Sequence, residues 1–148
     1  MTFRNSVVIP AVLGCCLYAE PSSAHHPTAP NYDTSNVVTL KGVAAKIVFG
    51  TPHTYLWLDV QDAGNQVTHW VVELDAQAKV GAAGFTRRAA APGMSMTITT
   101  YRAKPDADLV VAIPSAPAEA QEAAKAGRLV HGIELQLPDG HTIVLGDK

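Results

Sequence analysis

The sequence predicts a mainly β protein, a small barrel of five to six strands with one short helix between strands 3 and 4. Several segments alternate apolar and polar residues with the period of two that a half-buried strand shows. Turn residues at 62–65 and 138–140 separate such segments. An alanine-rich segment falls between the third and the fourth. This order is the layout of an OB-like barrel, and a small β-sandwich is the alternative.

Composition indicates a single folded domain. The chain has 148 residues, of which 47% are hydrophobic and 16% are charged, so it can bury a core. Its formal net charge is −2 and its pI is near 6.3, and its basic residues are scattered. We expect no nucleic-acid partner, because nucleic-acid-binding domains concentrate positive charge on one surface.

Residues 1–24 are predicted to be a signal peptide. Arg4 supplies one positive charge, an apolar run follows at 7–19, and small residues end at Ala24. The run is too short to span a bilayer, which takes about 20 residues, so no transmembrane segment is expected after processing. We therefore expect a periplasmic or secreted protein. Lipidation at Cys15 is the less favoured alternative, and without it cleavage removes both cysteines of the chain.

The N-terminal half of the mature chain supplies three predicted strands. Residues 25–36 are rich in proline, asparagine and serine and are predicted to be an extended lead-in to an OB-like domain at 37–148. The first strand covers 37–50, and Gly42 within it indicates a bend or a bulge. The second and third strands form a hairpin around the turn at 62–65.

The C-terminal half completes the predicted barrel. A short helix after the third strand is expected to end near Gly81 or Gly84, and strands follow at 94–101 and 109–113. The alanine-rich insert at 114–127 lacks large hydrophobic residues. It is predicted to be an inserted loop or a marginal exposed helix with nothing apolar to anchor it. The chain ends in a hairpin around a Pro-Asp-Gly turn.

Short motifs along the mature chain resemble those of a known family. Its members typically carry Ala-His-His-Ser-Phe at the cleavage site, then Tyr-Asp, Val-x-Leu-x-Gly, Asn-Pro-His, Trp-x-x-Glu and a final Leu-x-Asp-Gly turn. The matching residues are Ala24-His25-His26, Tyr32-Asp33, Val38-Thr39-Leu40-Lys41-Gly42, Thr51-Pro52-His53, Trp70-Val71-Val72-Glu73 and Leu137-Pro138-Asp139-Gly140-His141. The chain thus resembles an uncharacterised family of small exported bacterial proteins, which implies an exported OB-like domain and no particular activity. It departs from the pattern at Pro27-Thr28, at Thr51 and in the alanine-rich insert.

Cleavage after residue 24 would make His25 the first residue of the mature protein. Its α-amine and its ring Nδ1 would then form a chelate on one metal ion, and nitrogen donors of this kind favour copper(II). His26 and His53 are the expected co-ligands, while Pro27 lacks the backbone N–H that a peptide chelate uses. Two alternatives remain: the paired histidines only keep the cleavage site hydrophilic, and His53 bonds to backbone.

A second candidate site is the outward face of the second and third strands, which commonly holds the ligand in OB-folds. Tyr55 and Trp57 can stack on flat ligands, and His69 and Glu73 add polar groups from the neighbouring strand. Asp59 and Glu73 disfavour a phosphate backbone on this face. The alternative is that Trp57 is covered by the N-terminal segment or by the helix.

Three classes of function follow from the sequence, in order of preference. The first is an exported binding domain that holds a small ligand or a periplasmic protein at its loops or at the strand 2–3 face. The second is a copper-binding protein built on His25, His26 and His53, and copper is the one cofactor considered. An enzyme is the least favoured class, because no motif of a hydrolase, a zinc protease, a phosphate-binding loop or a thiol redox centre is present. The sequence carries no signal for oligomeric state.

Overall fold

A computed structural model of the chain describes residues 28–104 and 116–146, which form a mainly β domain, as predicted. Their helices and strands are, in order, α1 (Thr28–Asn31), β1 (Tyr32–Val48), β2 (Thr54–Gln61), β3 (Val67–Leu74), α2 (Gln77–Ala82), β4 (Ser95–Ala103), α3 (Ala118–Lys125), β5 (Leu129–Gln136) and β6 (Thr142–Val144). The predicted signal peptide, His25, His26 and the predicted strand at 109–113 lie outside the described residues. Among the helices of the two described ranges, none has the length and apolar character needed to cross a membrane.

Hydrogen bonds join five strands into a ring. Strand β1 pairs with β2 and with β4, β2 pairs with β3, and β4 pairs with β5, all antiparallel. A parallel pairing of β3 with β5 closes the circle, and β6 adds to β5 as the second strand of the predicted terminal hairpin. Each strand of the ring therefore has a hydrogen-bonded neighbour on both sides, which leaves few strand edges open to another chain.

Gly42 lies where the long strand β1 changes partner. The stretch up to Val43 pairs with β4, and the stretch from Val43 onward pairs with β2, opposite Asp59. A side chain at Gly42 would overlap the carbonyl oxygen of Asp59, so glycine permits this close approach of two strands. The irregularity in the β1–β2 register falls slightly later than the glycine, between Ala44 and Lys46.

The first hydrophobic core is formed by side chains from one face of each strand, and it therefore lies inside the ring. One member from each strand is Leu40, Leu56, Val72, Ile98, Leu135 and Ile143. The alternation predicted for β2 and β3 is confirmed, because Leu56 and Leu58 share this core with Val72 and Leu74. The predicted helix between the third and fourth strands is confirmed as α2, and its Val80 is fully buried in the same core.

The second hydrophobic core lies on the outward side of β2, β3 and β5, under α3. Its floor comprises Tyr55, Trp57, Val71, Leu129 and Ile133. Ala120 and Ala123 of α3 are buried against it. The prediction that nothing apolar would anchor the insert at 114–127 is therefore wrong. Alanine methyl groups anchor the helix, because the large apolar side chains come from the strands beneath it.

The N-terminal segment also differs from the extended lead-in predicted at 25–36. Thr28–Asn31 form α1, and β1 begins at Tyr32 rather than at residue 37. Tyr32 is fully buried in the second core and pairs with Ala103 of β4. Burial of one aromatic side chain thus extends the strand into a stretch whose composition is typical of loops.

Replacing Gly42 by alanine is expected to lower the free energy of unfolding by roughly 1–3 kcal/mol, because the new Cβ would force β1 and β2 apart. Gly81→Ala in α2 is the matched control, since a Cβ there meets no atom within 4 Å. Helix propensity makes that change neutral or stabilising by up to about 1 kcal/mol. Urea unfolding curves measure both variants, and equal stability of the two would contradict the role given to Gly42.

Candidate binding site

The predicted site residues fall into two environments. His53, Tyr55, Trp57 and Glu73 are buried, whereas the side chain of His69 is 71% exposed. His53 stands directly before β2, at the end of the loop that leaves β1. Alternation along β2 and β3 places Tyr55, Trp57 and Val71 in the second core, outside the ring, as the sequence predicts.

Glu73 is the centre of a buried polar cluster. The β2–β3 register sets Tyr55 directly opposite it, and the parallel β3–β5 register sets His131 beside it. The Tyr32 hydroxyl donates a hydrogen bond to Oε2 of Glu73 at 3.2 Å, and Nδ1 of His53 lies 3.5 Å from Oε1. We call this group the Glu73 cluster; its members are Glu73, Tyr32, His53, Tyr55 and His131. Each carboxylate oxygen of Glu73 faces a different neighbour.

The electrostatics of this cluster keep its two tyrosines protonated. Burial, followed by the negative charge of Glu73, raises the pKa of Tyr32 well above its ordinary value. The same two causes, in the same order, raise the pKa of Tyr55. Both phenols therefore remain neutral hydrogen-bond donors throughout the physiological range. The ring of Tyr32 also packs against that of His131, with centroids 5.2 Å apart.

A small depression of about 130 Å³ opens beside His53 and Tyr55. Its wall consists of Val48, Gly50, Thr51, Pro52, His53, Tyr55 and Pro117. This volume has room for several water molecules or for a small ligand group. The Tyr55 hydroxyl is buried and has no hydrogen-bond partner within residues 28–104 and 116–146. Tyr55 thus contributes to the wall of the depression, and its buried hydroxyl retains hydrogen-bonding capacity.

Trp57 lies beneath α3 and is only 9% exposed. The ammonium group of Lys46 sits 4.4 Å from the centroid of its ring, and the same group pairs with Glu119 of α3 at 3.1 Å. The helix that covers the aromatic face is therefore α3, from the alanine-rich insert, and not the predicted helix between strands 3 and 4. In this conformation Trp57 offers no open surface on which a flat ligand can stack.

His69 and Asp59 form a separate, exposed pair on the same hairpin. They are opposite each other in the β2–β3 register, and Nδ1 of His69 lies 2.6 Å from Oδ1 of Asp59. Four residues along β2 separate this pair from the pair of Tyr55 and Glu73, or about 13 Å at 3.3 Å per residue. The structure therefore does not bring His69 together with the Glu73 cluster.

Tyr32 and His131 belong to the site, although the sequence does not single them out as site residues. Tyr32 falls in the predicted lead-in. His131 shares the outward face of β5 with Leu129 and Ile133, so alternation along the last long strand is the signal that could have found it.

No three His, Cys, Asp or Glu side chains of the described ranges converge to hold a metal ion. A metal site with three such ligands would need one from elsewhere in the chain.

The fold and the site together define a small mainly β domain with a buried polar cluster beside a surface depression. The family of unknown function DUF6152 matches residues 14–109, and the chain belongs to that family. Comparison with curated proteins and with solved structures found no match. Membership in this family brings no activity with it, so the functional argument depends on the site itself.

Replacing Ala120 by glutamate is expected to displace α3, because a carboxylate cannot be buried against the second core without a partner. The free energy of unfolding should fall by roughly 1–3 kcal/mol, and Trp57 should become accessible to solvent. Acrylamide quenching of tryptophan fluorescence in a Trp70→Phe background measures that accessibility. Ala118→Glu, at an exposed position of the same helix, is the matched control. Equal quenching in the two variants would contradict the covering role of α3.

Proposed function

We propose that this protein is an exported binding domain, periplasmic or secreted, that holds a small ligand in the depression beside His53 and Tyr55. The observation that carries the proposal is the buried Tyr55 hydroxyl at a depression where strand β2 begins. Export is inferred from residues 1–24, whose charge, apolar run and small-residue end follow the pattern of a signal peptide.

The fold that we infer for this domain is an OB-like barrel. The closed ring of five strands and the position of α2 between β3 and β4 support it. OB-folds bind ligands at the strand 2–3 face and at the loops that join strands 1 and 2 and strands 4 and 5. In this chain α3 covers the face, while the depression lies between the first of those loops and Pro117, which belongs to the second. Because the strand face is covered and the depression is open, we infer that the ligand binds at the loops.

The proposal is tested with Tyr55→Phe and with imidazole, a small polar ring, as the probe. In wild type, imidazole should shift backbone amide NMR signals around the depression, at Val48, Gly50 and His53. Tyr55→Phe should abolish these shifts and leave stability unchanged or raise it by up to about 1–3 kcal/mol, because it removes a buried hydroxyl without a partner in the described ranges. Tyr32→Phe, which loses a hydrogen bond to Glu73, should instead lower stability. Shifts spread over the whole surface, or shifts of equal size in Tyr55→Phe, would contradict the proposal.

Copper binding is the second candidate function, and the position of Tyr32 favours it. The Tyr32 hydroxyl contacts Glu73, whose other carboxylate oxygen lies 3.5 Å from His53. His26 precedes Tyr32 by six residues, four of which form α1, so the two residues lie no more than roughly 20 Å apart. The N-terminal amine and ring of His25, with His26, are thus within reach of His53 at the depression, and would supply the donors that copper(II) prefers.

The copper candidate is tested by isothermal titration of Cu(II) into protein that begins at His25. The matched control keeps Ala24 as one extra N-terminal residue, which removes the free amine from His25. We expect a tight site in the first protein and at least a tenfold loss of affinity, about 1.4 kcal/mol, in the second. Equal binding by the two proteins would contradict a site built on the N-terminal amine.

A further inference from the structure

A second depression lies on the outward face of β1, β4 and β5, where that face meets the turn of the terminal hairpin. Its volume is about 190 Å³, and its wall consists of Lys41, Ser95, Met96, Thr97, Gln136, Leu137 and Pro138. We call it the Lys41 depression. Along β1, Lys41 precedes Val48 of the first depression by seven residues, or about 23 Å at 3.3 Å per residue. The two depressions are therefore separate places on the domain.

The strand register sets three polar side chains side by side in the Lys41 depression. Lys41 is opposite Thr97 in the β1–β4 pairing, and Thr97 is opposite Gln136 in the β4–β5 pairing. All three point outward, because their neighbours along the chain belong to the first core: Leu40, Met96, Ile98, Leu135 and Leu137. At a spacing of about 4.8 Å between strands, the row is roughly 10 Å long. Ser95, two residues before Thr97, adds a hydroxyl on the same face.

The polar side chains of this row have capacity for a ligand. Within residues 28–104 and 116–146, Lys41, Ser95, Thr97 and Gln136 form no side-chain hydrogen bond or ion pair. Lys46, Lys79 and Lys125, by contrast, each pair with a carboxylate. The wall that the described residues form around the depression includes no acidic side chain. The depression thus offers a ligand one uncompensated positive charge and three neutral polar groups that both donate and accept hydrogen bonds.

We propose that the Lys41 depression binds a hydroxylated organic anion of the size of one sugar acid. The carboxylate of this ligand pairs with the ammonium group of Lys41, and its hydroxyl groups bond to Thr97 and Gln136. Glu134, the acidic residue on the outward face of β5, lies opposite Thr99, so the negative end of the ligand is favoured at β1. This inference goes beyond the proposed function, because it concerns a different part of the fold.

The charge and the size of the depression select this class of ligand. One lysine without a second cation in the wall matches a singly charged carboxylate better than a phosphate dianion. Pro138 adds an apolar surface to which the C–H groups of a sugar ring can pack. The volume of about 190 Å³ is below the roughly 300–1,000 Å³ of sites for drug-sized ligands. The depression therefore suits one ring rather than a chain of sugars.

The proposal is tested with glucuronate as the probe, at low ionic strength because salt screens an exposed charge. Glucuronate should shift the backbone amide NMR signals of wild type at Lys41, Thr97 and Gln136. Lys41→Gln should weaken binding at least about tenfold, since it removes the charged partner, and Thr97→Val should weaken it roughly two- to tenfold. Arg88→Gln is the matched control, because it removes one positive charge at an exposed residue outside the wall. It should leave binding unchanged.

Two further probes separate the charge of the ligand from its hydroxyl groups. Glucose has the ring without the charge, acetate has the charge without the hydroxyl groups, and each should bind at least about tenfold more weakly than glucuronate. Acetate or glucose binding as tightly as glucuronate would overturn the proposed class of ligand. The site itself would be overturned by wild type that does not bind glucuronate, or by equal losses in Lys41→Gln and Arg88→Gln. The signals followed here differ from those that report on imidazole, so the two proposals fail independently.

Discussion

The buried carboxylate of Glu73 is the constraint around which this domain is arranged. Removing a carboxylate from water costs several kcal/mol, and attraction to its surroundings offsets that cost only where its oxygens find good partners. Tyr32, at the start of β1, donates a hydrogen bond to one oxygen, and His53, in the loop before β2, lies 3.5 Å from the other. One carboxylate on β3 therefore contacts both the N-terminal end of the first strand and the loop that forms the depression.

The parallel pairing of β3 with β5 gives this charge its buried position. It closes the ring of strands, sets His131 beside Glu73, and makes β5 part of one outward face with β2 and β3. That face then has two large aromatic rings, Tyr55 and Trp57, which need cover from water. The alanine side chains of helix α3 shield these rings from water. The exposed ion pair between Lys46 and Glu119 adds little to the stability of the helix position, since such surface pairs are worth about 0–1 kcal/mol.

The alternation of β2 and β3 was enough to predict which of their residues share a face, because a period of two leaves no choice once a strand is recognised. Burial of that face was not predictable, because it depends on α3, whose alanines carry almost no hydrophobic signal of their own. Tyr32 was not predictable as a site residue for a related reason: its neighbours in sequence are typical of loops, and its burial depends on distant residues such as Glu73 and His131. Local patterns thus predicted strands β2, β3 and β4 and the terminal hairpin, while contacts between distant segments determined the site.

The two histidine–carboxylate pairs of this hairpin show that distance alone does not make a site. His69 and Asp59 lie closer together, yet both are exposed, so solvent screens their interaction and either side chain can turn away. His53 and Glu73 lie farther apart, but packing holds both side chains and the low local dielectric strengthens their interaction. A ligand that approaches His53 meets a ring whose orientation has already been set, so little conformational entropy is lost on binding. Burial, rather than proximity, is what makes the pair at the depression the better candidate for function.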